Sequence, residues 1–178
     1  MSELTLPVED ADLARHGEAI LAINNAAEPA VNALDRADLD ALAAEGRVRV
    51  VLSATPEAPV AGLIVLMPPG AAYESPNYRW FSDRYDDFLY VDRIVVSPLA
   101  RGSGIGRALY EDAIALALEG GRPRILSEVN VSPPNPESMA FHDRLGFAPI
   151  HERLNDENGK VVAMMVRELA PADRDERA

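Results

Sequence analysis

The segment with the most pointed chemistry is Arg101-Gly102-Ser103-Gly104-Ile105-Gly106-Arg107. It follows a β-rich run over residues 88–96. It opens a stretch in which Ile105, Ala108, Leu109, Ala113, Leu116 and Ala117 recur at helical spacing, closed by Gly120-Gly121. The glycines therefore fall where a strand turns into a helix. The first N–H groups of a helix have no acceptor within it, and the helix dipole places partial positive charge there. Residues without a Cβ also let an anion approach the backbone closely. Charge points the same way: residues 93–107 hold Arg93, Arg101 and Arg107 and no acid, inside a chain of formal net charge −12. An anion site is the expectation, with tight strand-to-helix packing as the alternative. Two other phosphate motifs do not fit. A dinucleotide fingerprint needs glycine at its sixth place, where Arg107 stands, and no Gly-Lys-Ser/Thr follows as a nucleoside-triphosphate loop requires.

The hexapeptide Arg101-Gly102-Ser103-Gly104-Ile105-Gly106 resembles Arg/Gln-x-x-Gly-x-Gly/Ala, the hallmark of the GNAT superfamily of acetyl-CoA-dependent N-acetyltransferases. A second block follows: Asn135-Pro136-Glu137-Ser138-Met139-Ala140-Phe141-His142-Asp143-Arg144-Leu145-Gly146-Phe147 is similar to the family's Asn-x-x-Ala-x-x-Leu-Tyr-x-x-x-Gly-Phe. The resemblance implies an α/β fold of the α+β type, a central mixed, mostly antiparallel, twisted sheet flanked by helices, with acetyl-CoA as co-substrate between splayed strands. It implies that backbone amides from Arg101 to Arg107 hold the coenzyme A pyrophosphate. Strand residues Ile94, Val95 and Val96 would bond the pantetheine arm, which Asn135 would also touch. The implied activity is acetyl transfer to an amine of a small molecule or a peptide, with no metal, and many relatives are dimers.

Acyl transfer from a thioester to an amine needs an unprotonated amine, stabilisation of the tetrahedral oxyanion, and a proton for the departing thiolate. Strand alternation puts Glu128 and Asn130 on one face and Val129 and Val131 on the other. Glu128 is the first candidate for the base, and some relatives have a catalytic glutamate at the matching place. Asp92 on the neighbouring strand is the alternative, and either carboxylate also suits a structural ion pair. Where the family commonly has a tyrosine, this chain has His142. Imidazole can donate a proton near neutral pH, so His142 is the candidate acid. The alternative is a helix-surface His142 with Tyr90, Tyr85 or water as donor. Asn135 also has the chemistry of an N-cap ahead of Pro136. His16 and His151 carry no assigned role.

The elements that must position these groups alternate along the chain without repeats or a dividing linker. Helical spacing covers residues 8–26 and 35–45, the second stopped by Gly46, and β-rich runs at 47–53 and 60–67 form a hairpin. Pro68-Pro69-Gly70 opens a long irregular stretch. Seven of the ten aromatic residues lie in it or just beyond: Tyr73, Tyr78, Trp80, Phe81, Tyr85, Phe88 and Tyr90. These rings either form a lid, line an acceptor pocket with Trp80, Tyr85 and Tyr90 in its wall, or make a satellite hydrophobic cluster. Strands are expected at 88–96, 124–131, 147–154 and 161–169, and helices at 104–118 and 136–145. Asn24, Asn25, Glu28 and Asn32 lie where relatives often build one wall of the acceptor cleft, and Asn130 faces the same side as Glu128. Residues 1–170 read as a single domain and 171–178 as a frayed polar tail.

Composition narrows the function classes. A 178-residue chain that is 48% hydrophobic can bury a core without staples. It contains no cysteine, which removes disulfides, thiolate zinc sites and cysteine nucleophiles. Seventeen basic residues against 29 acidic ones give the wrong sign for phosphate-driven nucleic-acid binding and mildly favour a cationic acceptor. No apolar run is long enough to cross a membrane, and residues 1–10 lack the basic-then-apolar order of a signal peptide. A cytoplasmic protein is expected. A non-catalytic acyl-CoA sensor, or an interaction protein with a fortuitous glycine turn, are the competing classes.

Overall fold

The computed structural model describes residues 6–170. It contains seven strands and five helices in the order β1 (Glu9–Asp10), α1 (Leu13–Asn25), α2 (Arg36–Glu45), β2 (Arg47–Leu52), β3 (Val60–Met67), α3 (Pro76–Ser82), β4 (Leu89–Val96), α4 (Ile105–Glu119), β5 (Arg124–Ser132), α5 (Pro136–Arg144), β6 (Ala148–Leu154) and β7 (Val161–Glu168). The strand order is β1-β2-β3-β4-β5-β7-β6. β4 and β5 pair in parallel, and the ladders β1/β2, β2/β3, β5/β7 and β6/β7 are antiparallel. This is the mixed, mostly antiparallel α+β architecture expected from the resemblance.

Two expectations are corrected. The first helix is shorter than residues 8–26, because Glu9 and Asp10 pair with Val50 and Arg49 as a strand before Asp12 caps the helix through Ala14 N and Arg15 N. The stretch after Gly70 is not irregular throughout. Ser75 caps α3 by accepting from Tyr78 N, with Pro76 at its first position, a start signal present in the sequence. The polar tail, residues 171–178, lies outside the described residues.

The chain forms two compact units, whose boundaries fall within β4, between Asp92 and Arg93, and within α4, between Ala113 and Ile114. Unit one runs up to Met67 and resumes with Arg93–Ala113. Its core holds Ile20, Leu39, Val50, Ile64 and Leu109, all with essentially no exposure. α2 begins with a reciprocal capping box between Asp35 and Asp38, and Arg49 on β2 makes a two-pronged ion pair with Asp112 on α4. Unit two comprises Pro68–Asp92 and the chain from Ile114 onward. There β7 lies between β5 and β6, and Tyr78, Phe81, Phe88 and Tyr90 form a buried ring cluster with edge-to-face and tilted contacts.

Candidate active site

In unit one the glycine turn is built as its residue types require. Gly102 and Gly104 take φ of +78° and +82°, the left-handed region that residues with a Cβ avoid, and a Cβ added at either would meet nothing within 4 Å. The backbone there borders open space. Ala108 N–H to Gly104 O, 3.0 Å, is the first rung of α4, so the N–H groups of Ile105, Gly106 and Arg107 precede the ladder. Gly62 of β3 seats this helix start: a Cβ there would lie 2.6 Å from Ile105 Cγ2 and 3.2 Å from Val95 O. Gly62 is a positioning glycine that the sequence reading passed over, although glycine inside a strand run is a signal of close approach. Arg101 and Arg107 are exposed. Arg93, counted with them in the basic segment, instead donates to Asn24 Oδ1 at 3.1 Å and Asn32 O at 3.0 Å.

In unit two, side chains from α3, β4 and β6 gather around Glu128 on β5. The β4/β5 register Tyr90↔Leu126 sets Tyr90 diagonal to Glu128, two residues further along the same face. The Tyr90 hydroxyl donates to Glu128, 2.8 Å from Oε1 and 2.9 Å from Oε2. Asn77 Nδ2 on α3 donates to Glu128 Oε1 at 3.1 Å, and Arg153 Nη1 on β6 donates to Asn77 Oδ1 at 3.1 Å. Tyr90 is fully buried, and that burial, reinforced by the charges of Glu128 and Asp92, pushes its phenol well above the usual value. It therefore keeps its hydroxyl proton as a hydrogen-bond donor near neutral pH. Asp92 makes the same kind of pair, accepting a hydrogen bond from the Tyr73 hydroxyl. Both candidate carboxylates thus accept hydrogen bonds from phenolic donors. Asn77 and Arg153 were not singled out from sequence, since nothing local marks them, and Tyr73 was read only as one ring of the aromatic stretch.

His142 is buried at 2% exposure between the Phe141 and Phe147 rings, which corrects the alternative of a helix-surface residue. Its Nδ1 lies 2.8 Å from Ser138 O, a pure acceptor, so Nδ1 carries a proton. Burial pulls its pKa below the ordinary histidine value, keeping the ring neutral. Asn135 caps α5 by accepting from Ser138 N at 3.2 Å, as its place before Pro136 predicted. Asn135 and Asn130 also border a cavity of about 790 Å³ with Met139, Phe147 and Met165.

Asn25 pins the connection to α2, donating to Leu34 O and accepting from Leu34 N at 2.9 Å each. Trp80 stacks on His151 with centroids 5.2 Å apart and carries the Arg84 guanidinium 3.7 Å from its ring centroid, while Arg124 sits over Tyr85. Val95 is buried, and Ile94 and Val96 are half-buried on β4. Among the described residues no cluster of three or more metal-ligating side chains occurs, and no helix is long and apolar enough to cross a membrane.

The model of the acetyltransferase (GNAT) family matches residues 28–147, well over half of the chain. The chain belongs to the GNAT acetyltransferase family. It is therefore an acyltransferase, and the matched span contains the glycine turn, Glu128 and α5. Solved structures share the fold. Naa20 of Chaetomium thermophilum in complex with a bisubstrate analogue superposes with a TM-score of 0.71 at 18% identity, over 96% of this chain and 90% of that one. The NatC complex bound to Gag peptide and CoA gives 0.69 at 17% identity, over 92% and 98%. The ribosomal-protein-S18-alanine N-acetyltransferase of Escherichia coli gives 0.66 at 15% identity, over 92% and 94%. No curated protein matches the sequence significantly.

Proposed function

We propose that this GNAT acetyltransferase moves the acetyl group of acetyl-CoA to a primary amine, with a peptide amine as the favoured acceptor class. The observation that carries the reading is the glycine turn, where the N–H groups ahead of the first α4 rung border open space at two left-handed glycines. That arrangement suits a diphosphate. Arg101 and Arg107 add charge that a side-chain-free cradle lacks. The peptide preference is supported by the neighbours crystallised with a peptide or a bisubstrate analogue.

In this reading the amine nitrogen attacks the thioester carbonyl, a C–N bond forms, and the C–S bond then breaks. Glu128 accepts the proton the nitrogen loses, either directly or through one water. Sulfur gains one proton in exchange, so the products are the N-acetyl amine and free coenzyme A. Asp92, held by Tyr73, is the second carboxylate that can attract a cationic acceptor. His142 contributes less than the sequence led us to expect, because a buried neutral ring with Nδ1–H committed to Ser138 O is a poor donor to a thiolate.

Thiol release from acetyl-CoA with a panel of peptides and small amines tests the proposal. Turnover above the blank rate, highest for peptide amines, is expected. Coenzyme A binding with no release for any amine would instead favour a sensor.

A further inference from the structure

We propose that Asn77 and Arg153 are positioning residues that fix the Glu128 carboxylate, through the chain Arg153 Nη1–H to Asn77 Oδ1 and Asn77 Nδ2–H to Glu128 Oε1. The inference rests on Glu128 being the base.

The geometry is directional. A guanidinium has donors and no acceptor, so the Asn77 amide must turn its oxygen towards Arg153, 3.1 Å away. That leaves the NH2 group facing Glu128 Oε1 at 3.1 Å. Asparagine amides flip readily when their partners do not discriminate, and Arg153 removes that freedom. With Asn77 on one side and the Tyr90 hydroxyl bridging Oε1 and Oε2, the carboxylate is held by donors from α3 and β4 while β6 orients the first of them. Beside Glu128, the charged or titratable groups acting on Tyr90 are Asp92 and Tyr73; on β7 the register partner of Glu128 is the uncharged Met164.

The arrangement matters for the reaction because donors to an ionised carboxylate favour that form. They keep Glu128 a proton acceptor over a wider pH range and aim its lone pairs. Arg153 works only through Asn77, so its contribution depends on the amide being present. A residue that merely supported the fold would change the protein's melting temperature but leave the acid limb of the pH profile in place.

The test uses the full chain and the acceptor peptide with the highest turnover, recording kcat/KM against pH for Asn77→Ala, Asn77→Asp, Arg153→Met and the double variant N77A/R153M, with Glu128→Gln as control. Asn77→Ala should move the acid limb up by about half to one pH unit as one carboxylate donor is lost. Asn77→Asp, nearly isosteric and retained in case the alanine variant folds poorly, should move it further because two carboxylates then face each other. Arg153→Met should shift it less, and the double variant should match Asn77→Ala alone. Additive shifts, or a limb unmoved by N77A and N77D while Glu128→Gln is inactive, overturn the positioning chain and leave the base assignment standing. A Glu128→Gln enzyme with normal turnover overturns both.

Discussion

The glycine turn and the Glu128 cluster are built on opposite principles. The turn presents backbone: its useful groups are amide hydrogens, its side chains are absent or exposed, and its shape depends on φ angles that glycine alone adopts cheaply. The cluster presents side chains: two carboxylates, two phenols, an amide and a guanidinium from α3, β4, β5 and β6 and the loop before α3, each hydrogen-bonded to another. A backbone cradle grips an anion whatever the acyl group attached to it. A network of side chains selects which proton moves and when. The difference teaches that binding and turnover in this protein should be separable by mutation.

The largest effect should come from the cluster. Glu128→Gln removes the proposed proton acceptor while keeping its shape, and kcat should fall by roughly 10²- to 10⁴-fold. Coenzyme A affinity, read by calorimetry, should stay at the wild-type value. A parallel loss of affinity would break the separation. Gly104→Val should do the reverse. It forces a branched residue into φ +82° and fills the space an anion would use, lowering coenzyme A affinity by about ten- to a hundredfold through lost charge-assisted hydrogen bonds. Acetyl transfer at saturating acetyl-CoA should recover.

Gly62→Val sharpens the comparison from below the turn. Its side chain would collide with Ile105 and the Val95 carbonyl, so unfolding in denaturant should show a loss of about 1–3 kcal/mol, with the cluster's own chemistry untouched. The smallest effect belongs to His142. Its pKa is depressed in the folded protein, so the unfolded chain binds the extra proton. Stability is full above the ordinary histidine value near 6.5 and declines as pH falls from there towards the folded value. His142→Asn, which keeps a donor for Ser138 O, should flatten that acid-side slope in urea titrations between pH 7 and pH 5 and change turnover little. A large turnover loss would restore His142 to the chemistry.

How well each region could be read from sequence follows from the same contrast. The turn is local: strand, glycines and helix follow one another, and each residue's conformational need is written in its type. The boundaries of β3 and the cap at Asn135 were legible for that reason. Strand alternation put Glu128 on one face of its strand with Asn130, and the resemblance singled it out as the candidate base. Asn77 and Arg153 lie 51 and 25 residues from it, and their meeting depends on where α3 and β6 pack, which no spacing rule encodes. Arg93 shows the converse. Its position in a basic segment suggested an anion, and the folded chain turns it to Asn24 and Asn32 instead. α3 itself was legible in the Ser75-Pro76 start, but a run of aromatic residues drew attention to rings rather than to the cap.

The most direct measurement is a titration of the ¹⁵N-labelled protein with coenzyme A, following the backbone amides of residues 102–107. If those N–H groups hold the diphosphate, the Gly104 and Gly106 amide protons shift strongly downfield in step with binding, and pantetheine, which lacks the diphosphate, leaves them in place. Tight coenzyme A binding with these amides unmoved would contradict the account.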